Sequence, residues 1–159
     1  MLATVITVSD EVAEGRDENR AGPLAVVLLA AQGVQAELAV VPDRADAIVA
    51  AVRTAVARGC RLVLTSGGTG IGPTDVTVDA IAPLLSYQVP GICEEIRRRG
   101  ATRVPSALVS REVAGVIAGA PAVFVLTAPG SRGGVKDALE VLGPLLTHIV
   151  AQLDGAGHI

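Results

Sequence analysis

The chain has 159 residues, a length that suits one domain, since a split would leave two pieces with marginal cores. Half of the residues are apolar, yet Tyr87 and Phe124 are the only aromatics, so the interior is filled by Ala, Val, Leu and Ile, and two rings disfavour a platform on which single-stranded nucleic acid could stack. Thirteen basic against sixteen acidic residues leave a formal charge of −3, the wrong sign for a protein that gains affinity by displacing counterions from a phosphate backbone, and no nucleic-acid partner is expected.

In chain order, Ala3 to Ser9 is a short run rich in Val, Ile and Thr that fits a buried strand of a parallel sheet. Asp10 to Arg20 reads as a loop, and Ala21 to Gly33 as a helix with Pro23 in its first turn and Gly33 at its end. Gln35 to Val41 is a second strand. Asp43 to Arg58 is a helix whose acidic first turn, with Asp46, suits the helix dipole. Arg61 to Ser66 is a third strand, cut off by the glycines that follow, and helical character resumes near Thr77. Gly91 to Gly100 is a further helix, and Arg97, Arg98 and Arg99 read as its solvated last turn. Val113 to Ile117 and Ala122 to Thr127 are strands joined through AGAP, and Gly134 to Leu153 is one long amphipathic helix. The alternation predicts a three-layer α/β/α sandwich on a mostly parallel sheet, one domain over residues 1–155 with a tail at 156–159. Cys60 and Cys93 are too few for a disulfide framework and read as small core residues. There is no basic leader, and no stretch reaches the ~18 uninterrupted apolar residues of a membrane span. A cytoplasmic protein with no membrane partner is expected.

In open α/β sheets ligands bind beyond the carboxyl ends of the strands, so the segments that follow each strand carry the chemistry. They are Ser9-Asp10, Pro42-Asp43, Gly67-Gly68-Thr69-Gly70 with Asp75 behind it, and Ala128-Pro129-Gly130-Ser131. The run TSGGTGIGPTDVT (65–77) is the most informative. Its glycines let backbone N–H groups approach an anion ahead of a helix, although an ordinary glycine-rich turn has the same composition. It matches neither a P-loop nor a dinucleotide fingerprint, having no Lys after the glycines and the wrong spacing. Asp75 reads either as a loop carboxylate near a helix start that Thr77 could cap, or as a metal ligand. Asp43 likewise reads as an N-cap or a ligand, and a pair of carboxylates on neighbouring strand ends is what a Mg²⁺–nucleotide site uses. His148 and His158 are needed for neither reading.

These segments resemble the MogA/MoaB family of molybdenum cofactor biosynthesis proteins, found also as the G domain of gephyrin. The marker is the GGTG loop followed by Asp75-Val76-Thr77. TVSD at 7–10, VPD at 41–43, PGICEEIRRRG at 90–100, LVSREVAG at 108–115 and APGSRGGVKDAL at 128–139 occur in family order. The resemblance covers essentially the whole chain. It implies a homotrimer that, with Mg²⁺, transfers AMP from ATP to molybdopterin. By position it makes Asp43 and Asp75 the catalytic and metal-holding residues. It assigns Gly67, Gly68, Thr69, Gly70, Thr77, Asp10, Ser110 and Arg111 to the substrate, and Pro129, Gly130 and Ser131 to the nucleotide. A MoaB-type paralogue that binds the pterin with little transfer, and a competence-damage-like nucleotide-processing protein, are the alternative readings. Three positions depart from the family pattern: Thr74 stands where Arg is common, Arg44 where an acidic residue is frequent, and Thr127-Ala128 where Asn-Leu is frequent. Arg44 would replace the missing cation only by pointing inward.

Overall fold

Uninterrupted runs of Val, Leu, Ile and Thr become strands, and the computed structural model, which describes residues 1–157, contains six of them. They are β1 (Leu2–Val8), β2 (Gln35–Val41), β3 (Leu62–Ser66), β4 (Tyr87–Gln88), β5 (Ala114–Ile117) and β6 (Val123–Ala128), in the order β2-β1-β3-β6-β5-β4. The pairs β2–β1, β1–β3 and β3–β6 are parallel, and β5 runs antiparallel to both β6 and β4. The mostly parallel sandwich is thus the observed fold. The reversal at β5 follows from its connection, because the few residues between β5 and β6 can close a hairpin but not the crossover that a parallel pair needs.

The helices are α1 (Asp10–Ala13), α2 (Ala21–Ala31), α3 (Ala45–Ala57), α4 (Thr77–Ile81), α5 (Pro90–Ala101), α6 (Arg132–Leu142) and α7 (Leu146–Leu153). Side chains alternate across the pleat, so each strand feeds two cores. Val5, Leu62, Leu64, Phe124 and Leu126 pack with Leu29 of α2, Ile96 of α5 and Leu142 of α6. Ile6, Val8, Val63, Val123 and Val125 pack on the other face with Ile48 and Val52 of α3 and Ile81 of α4. Each such Leu, Ile or Val contributes about 1.5–3 kcal/mol on burial, which anchors the strand ends where the functional loops begin.

Three expectations change, and one strand is unanticipated. The stretch expected as a loop after β1 starts with the short helix α1, capped by the Ser9 hydroxyl, which accepts from the Val12 N–H at 3.2 Å. The helix expected from Asp43 starts at Ala45, with Arg44 at the cap position but with no capping hydrogen bond from its side chain. The long C-terminal helix is two, because Pro144 lacks an N–H and the chain passes through a 3₁₀ turn at Gly143–Leu145. The edge strand β4 has only two residues, too short to leave a periodic signal. Cys60 and Cys93 are buried free thiols, as expected. His148 lies on the exposed side of α7, and His158 falls outside the described residues.

Candidate functional site

From the carboxyl end of β1 the chain leaves toward the face covered by α2, and from that of β3 toward the face covered by α4. A crevice therefore opens between the two strand ends, as at the switch point of other open sheets. It is a cleft of about 510 Å³ lined by Ser9, Asp10, Asn19, Asp43, Gly68, Thr74, Asp75, Gly130, Ser131 and Arg132, among others.

The glycine-rich loop is shaped by contacts that forbid side chains. Gly67 has φ +106°, and a Cβ there would stand 2.3 Å from the carbonyl oxygen of Val8. Gly68 has φ +69°, and a Cβ would stand 2.2 Å from Thr77 Oγ1. Thr77 is fully buried beneath the loop. Its hydroxyl donates to Gly67 O at 2.8 Å and its N–H to Gly68 O at 3.1 Å, so it ties the turn down and does not cap α4. Gly70 and Gly72 leave room for a carboxylate: Asp75 Oδ2 accepts from the Gly72 N–H at 2.9 Å and would lie 2.6 Å from a Cβ on Gly70. Arg111 clamps the same loop from outside. Its N–H donates to Thr69 O (2.7 Å), its Nε to Gly70 O (2.8 Å) and its Nη2 to Asp75 O (3.0 Å), and its guanidinium pairs with Asp79 at 3.1 Å.

Asp10 and Asp43 hold each other across the ends of β1 and β2. The Asp10 N–H donates to Asp43 Oδ2 and the Asp43 N–H to Asp10 Oδ1, both at 2.9 Å. Burial raises the Asp43 carboxyl above its ordinary value; the Asp10 N–H opposes the rise, and the charges of Asp10, Glu11 and Asp75 add to it. Asp43 and Asp75 face one cleft. Among the described residues no three His, Cys, Asp or Glu side chains form a metal cage, so any cation there is held by one or two carboxylates together with ligand and water oxygens, the mode Mg²⁺ favours.

A second cleft of about 310 Å³ lies on the other side of the β6 loop, walled by Val104, Ala107 and Val109 and bearing Thr69, Gly70, Ser110, Pro129 and Ser131. Ser131 lines both clefts. It caps α6, accepting from the Gly134 N–H at 3.0 Å, which leaves its own proton free to donate. Ser66 Oγ donates to Pro129 O at 3.1 Å and joins the ends of β3 and β6.

The predicted residues therefore fall into three groups. Asp10, Asp43, Gly68, Asp75, Gly130 and Ser131 line the larger cleft, and Thr69, Gly70, Ser110, Pro129 and Ser131 the smaller. Gly67, Thr77 and Arg111 line neither and shape the loop between them. Arg44 is turned outward, pairing with Asp46 at 3.2 Å, and supplies no charge to the site. Sequence reading missed Arg132, the first residue of α6, which lines the larger cleft and makes no ion pair among the described residues. A cation at a helix start, against the dipole, was the available signal. Arg97 is not solvated as expected: it is only partly exposed and donates to the carbonyl oxygens of Ser110 (3.4 Å) and Glu112 (3.2 Å).

Residues 4–148 match the family described as a probable molybdopterin binding domain. A molybdenum cofactor biosynthesis bifunctional protein of Synechococcus elongatus is 42% identical over 159 residues, 99% of this chain and 49% of that protein. The chain thus spans about half the length of the curated relatives it matches first. A molybdopterin adenylyltransferase of Pyrococcus furiosus is 35% identical over 148 residues, 92% of this chain and 87% of that protein. A solved structure of MogA superposes with a TM-score of 0.90 at 36% identity, covering 96% of this chain and 99% of that one.

Proposed function

This chain belongs to the probable molybdopterin binding domain family of molybdenum cofactor biosynthesis proteins, and we propose that it transfers the AMP group of ATP to molybdopterin. The observation that carries the reading is the pair of clefts that share Ser131, one acidic and one walled by apolar side chains, as two unlike substrates reacting at one point require. A terminal phosphate oxygen of molybdopterin attacks the α-phosphorus of ATP, a new P–O bond forms, the bond to the β-phosphate oxygen breaks and pyrophosphate leaves. That oxygen is already ionised at neutral pH, so no general base is needed, and alignment with charge neutralisation is the main task.

The larger cleft takes the nucleotide, with Arg132 facing its phosphates and Ser131 donating where the two substrates meet. Mg²⁺ bound there would neutralise the triphosphate and the leaving pyrophosphate. Asp43 and Asp75 fit it, since both carboxylates face one cleft and Asp43 resists ionisation chiefly through burial, with the charges of Asp10, Glu11 and Asp75 adding to it. The smaller cleft takes the pterin, between Val104, Ala107 and Val109 on one side and Thr69 and Ser110 on the other. The proposal includes a homotrimer: Val27 on α2 and Leu38 and Val40 on the edge strand β2 are exposed apolar residues that a subunit contact would cover.

Incubating the protein with molybdopterin, Mg²⁺ and ATP labelled at the α-phosphate tests the reading. Label in molybdopterin-AMP with release of pyrophosphate is expected. Pterin binding without label transfer would replace it with a binding role, and a monomer mass by light scattering would remove the trimer.

A further inference from the structure

Glu112, just ahead of β5, carries a side chain that is 1% exposed, an unusual place for a carboxylate. Its Oε2 lies 3.1 Å from Ser110 Oγ, and its Oε1 is 3.9 Å from Arg97 Nη1. Ser110 Oγ lies in turn 3.0 Å from Thr69 Oγ1, and both of these residues line the smaller cleft. A hydroxyl has one proton to give, and an ionised carboxylate only accepts. The geometry lets Ser110 Oγ donate to either neighbour; with Glu112 ionised its one proton goes to the carboxylate, and Thr69 is then the donor to Ser110. What the two hydroxyls then present to the cleft is lone pairs.

Resting on the molybdopterin reading above, we infer that Glu112 is a positioning residue whose carboxylate turns Ser110 and Thr69 into acceptors for the N–H groups of the pterin ring. The smaller cleft thereby favours a donor-bearing heterocycle over a phosphate, and the phosphate is left to Ser131, whose proton is free. The charge of Glu112 costs the fold more than it contributes. Burial raises its carboxyl above the ordinary value; the Ser110 hydroxyl and Arg97 oppose the rise, and Asp137 of α6 adds to it. The other titratable group facing it is Cys93 of α5, a thiol pushed up to about 12, chiefly by burial, and so neutral.

Molybdopterin binding without ATP, measured by calorimetry on the wild type, Glu112→Met, Glu112→Gln, Ser110→Ala and the Ser110→Ala/Glu112→Met double variant, tests this. Glu112→Met is expected to weaken pterin binding about tenfold at neutral pH, the scale of a hydrogen bond or two, while ATP binding is unchanged and melting is no lower than wild type. Glu112→Gln, whose amide oxygen can still accept from Ser110, is expected to recover most of the affinity. Wild-type affinity should fall as the pH drops through the raised value of Glu112, and Glu112→Gln should lack that part of the profile. The double variant should bind like Ser110→Ala alone. Wild-type affinity in Glu112→Met, losses that add in the double variant, or a loss that tracks a lowered melting temperature would each overturn the inference and leave the molybdopterin reading standing. Failure of the wild type to bind molybdopterin would overturn both.

Discussion

The two clefts that meet at Ser131 are assembled from the same loops but by different physics. In the larger one, Asp10, Asp43 and Asp75 are held in place by backbone N–H groups, and their negative charges line one cleft. In the smaller one the charge is withdrawn: Glu112 sits behind the wall, and the surface is hydroxyls and aliphatic side chains. The glycine-rich loop separates the two, with Gly68 and Asp75 on one side and Thr69 and Gly70 on the other. A single loop can thus serve two ligands of opposite character, provided its backbone is fixed from below by Thr77 and from outside by Arg111.

The sharpest way to separate the clefts is to remove charge from one of them. Asp75→Asn and Asp43→Asn should each lower turnover by about 10²-fold or more, with the fold intact and pterin binding retained. For Asp43 the sign of the pH dependence follows from its raised carboxyl. Without metal it takes up a proton at a higher pH than an ordinary aspartate, so at subsaturating Mg²⁺ the proton competes with the cation and turnover should fall on the acid side above the ordinary carboxylate range. The stability Asp43 contributes is present below the ordinary value and lost as pH rises through the raised one. Asp43→Asn should therefore melt no lower than wild type at neutral pH. A pH–rate profile and melting curves check both statements.

A change in the dividing loop should damage both sides together. Gly68→Ala places a Cβ against Thr77 Oγ1 at a backbone angle of φ +69°, and strain of this kind costs about 1–3 kcal/mol. The melting temperature should drop by roughly 2–10 °C, and affinity for pterin and for ATP should fall in parallel, as paired titrations would reveal.

A smaller, one-sided effect is expected at Arg132. Arg132→Ala should weaken ATP binding about tenfold, with the difference shrinking as salt is added and pterin binding unchanged. The smallest effect belongs to Thr74, which lines the acidic cleft. Thr74→Arg should tighten binding of the nucleotide by about 1 kcal/mol at low salt, a gain lost at high salt. Tighter pterin binding instead would mean that the two clefts are assigned the wrong way round.

Much of this arrangement was legible in the linear chain. The alternation of apolar runs with helical periods placed the core strands and most helices, because both patterns are local and repeat within a few residues. Asp10, Asp43, Asp75 and the GGTG loop stood out because each follows a strand end. Their roles were less legible. Asp43 read as a helix cap or a ligand, and its side chain accepts from the backbone of Asp10, a contact between residues 33 apart in the chain. Thr77 and Arg111 were singled out by the resemblance, which assigns them to the substrate, and the bonds by which they hold the loop, from Thr77 to Gly67 and from Arg111 to Gly70 and Asp75, leave no local signal.

Glu112 and Arg97 show where linear reading ends. A glutamate beside a strand and an arginine in the last turn of a helix are ordinary surface residues by type and position, and nothing within a few residues marks either as buried or engaged. Composition, periodicity and turn chemistry by themselves determined the layers, the direction of most strands and the loops that carry the chemistry, since these depend on near neighbours. Tertiary structure alone decided which loops share a cleft, that Ser131 stands in both, and that Glu112 is enclosed behind Ser110. Those outcomes depend on how strands β1, β3, β5 and β6 lie side by side and on what α5 and α6 bury against them, contacts between segments that are far apart in the chain.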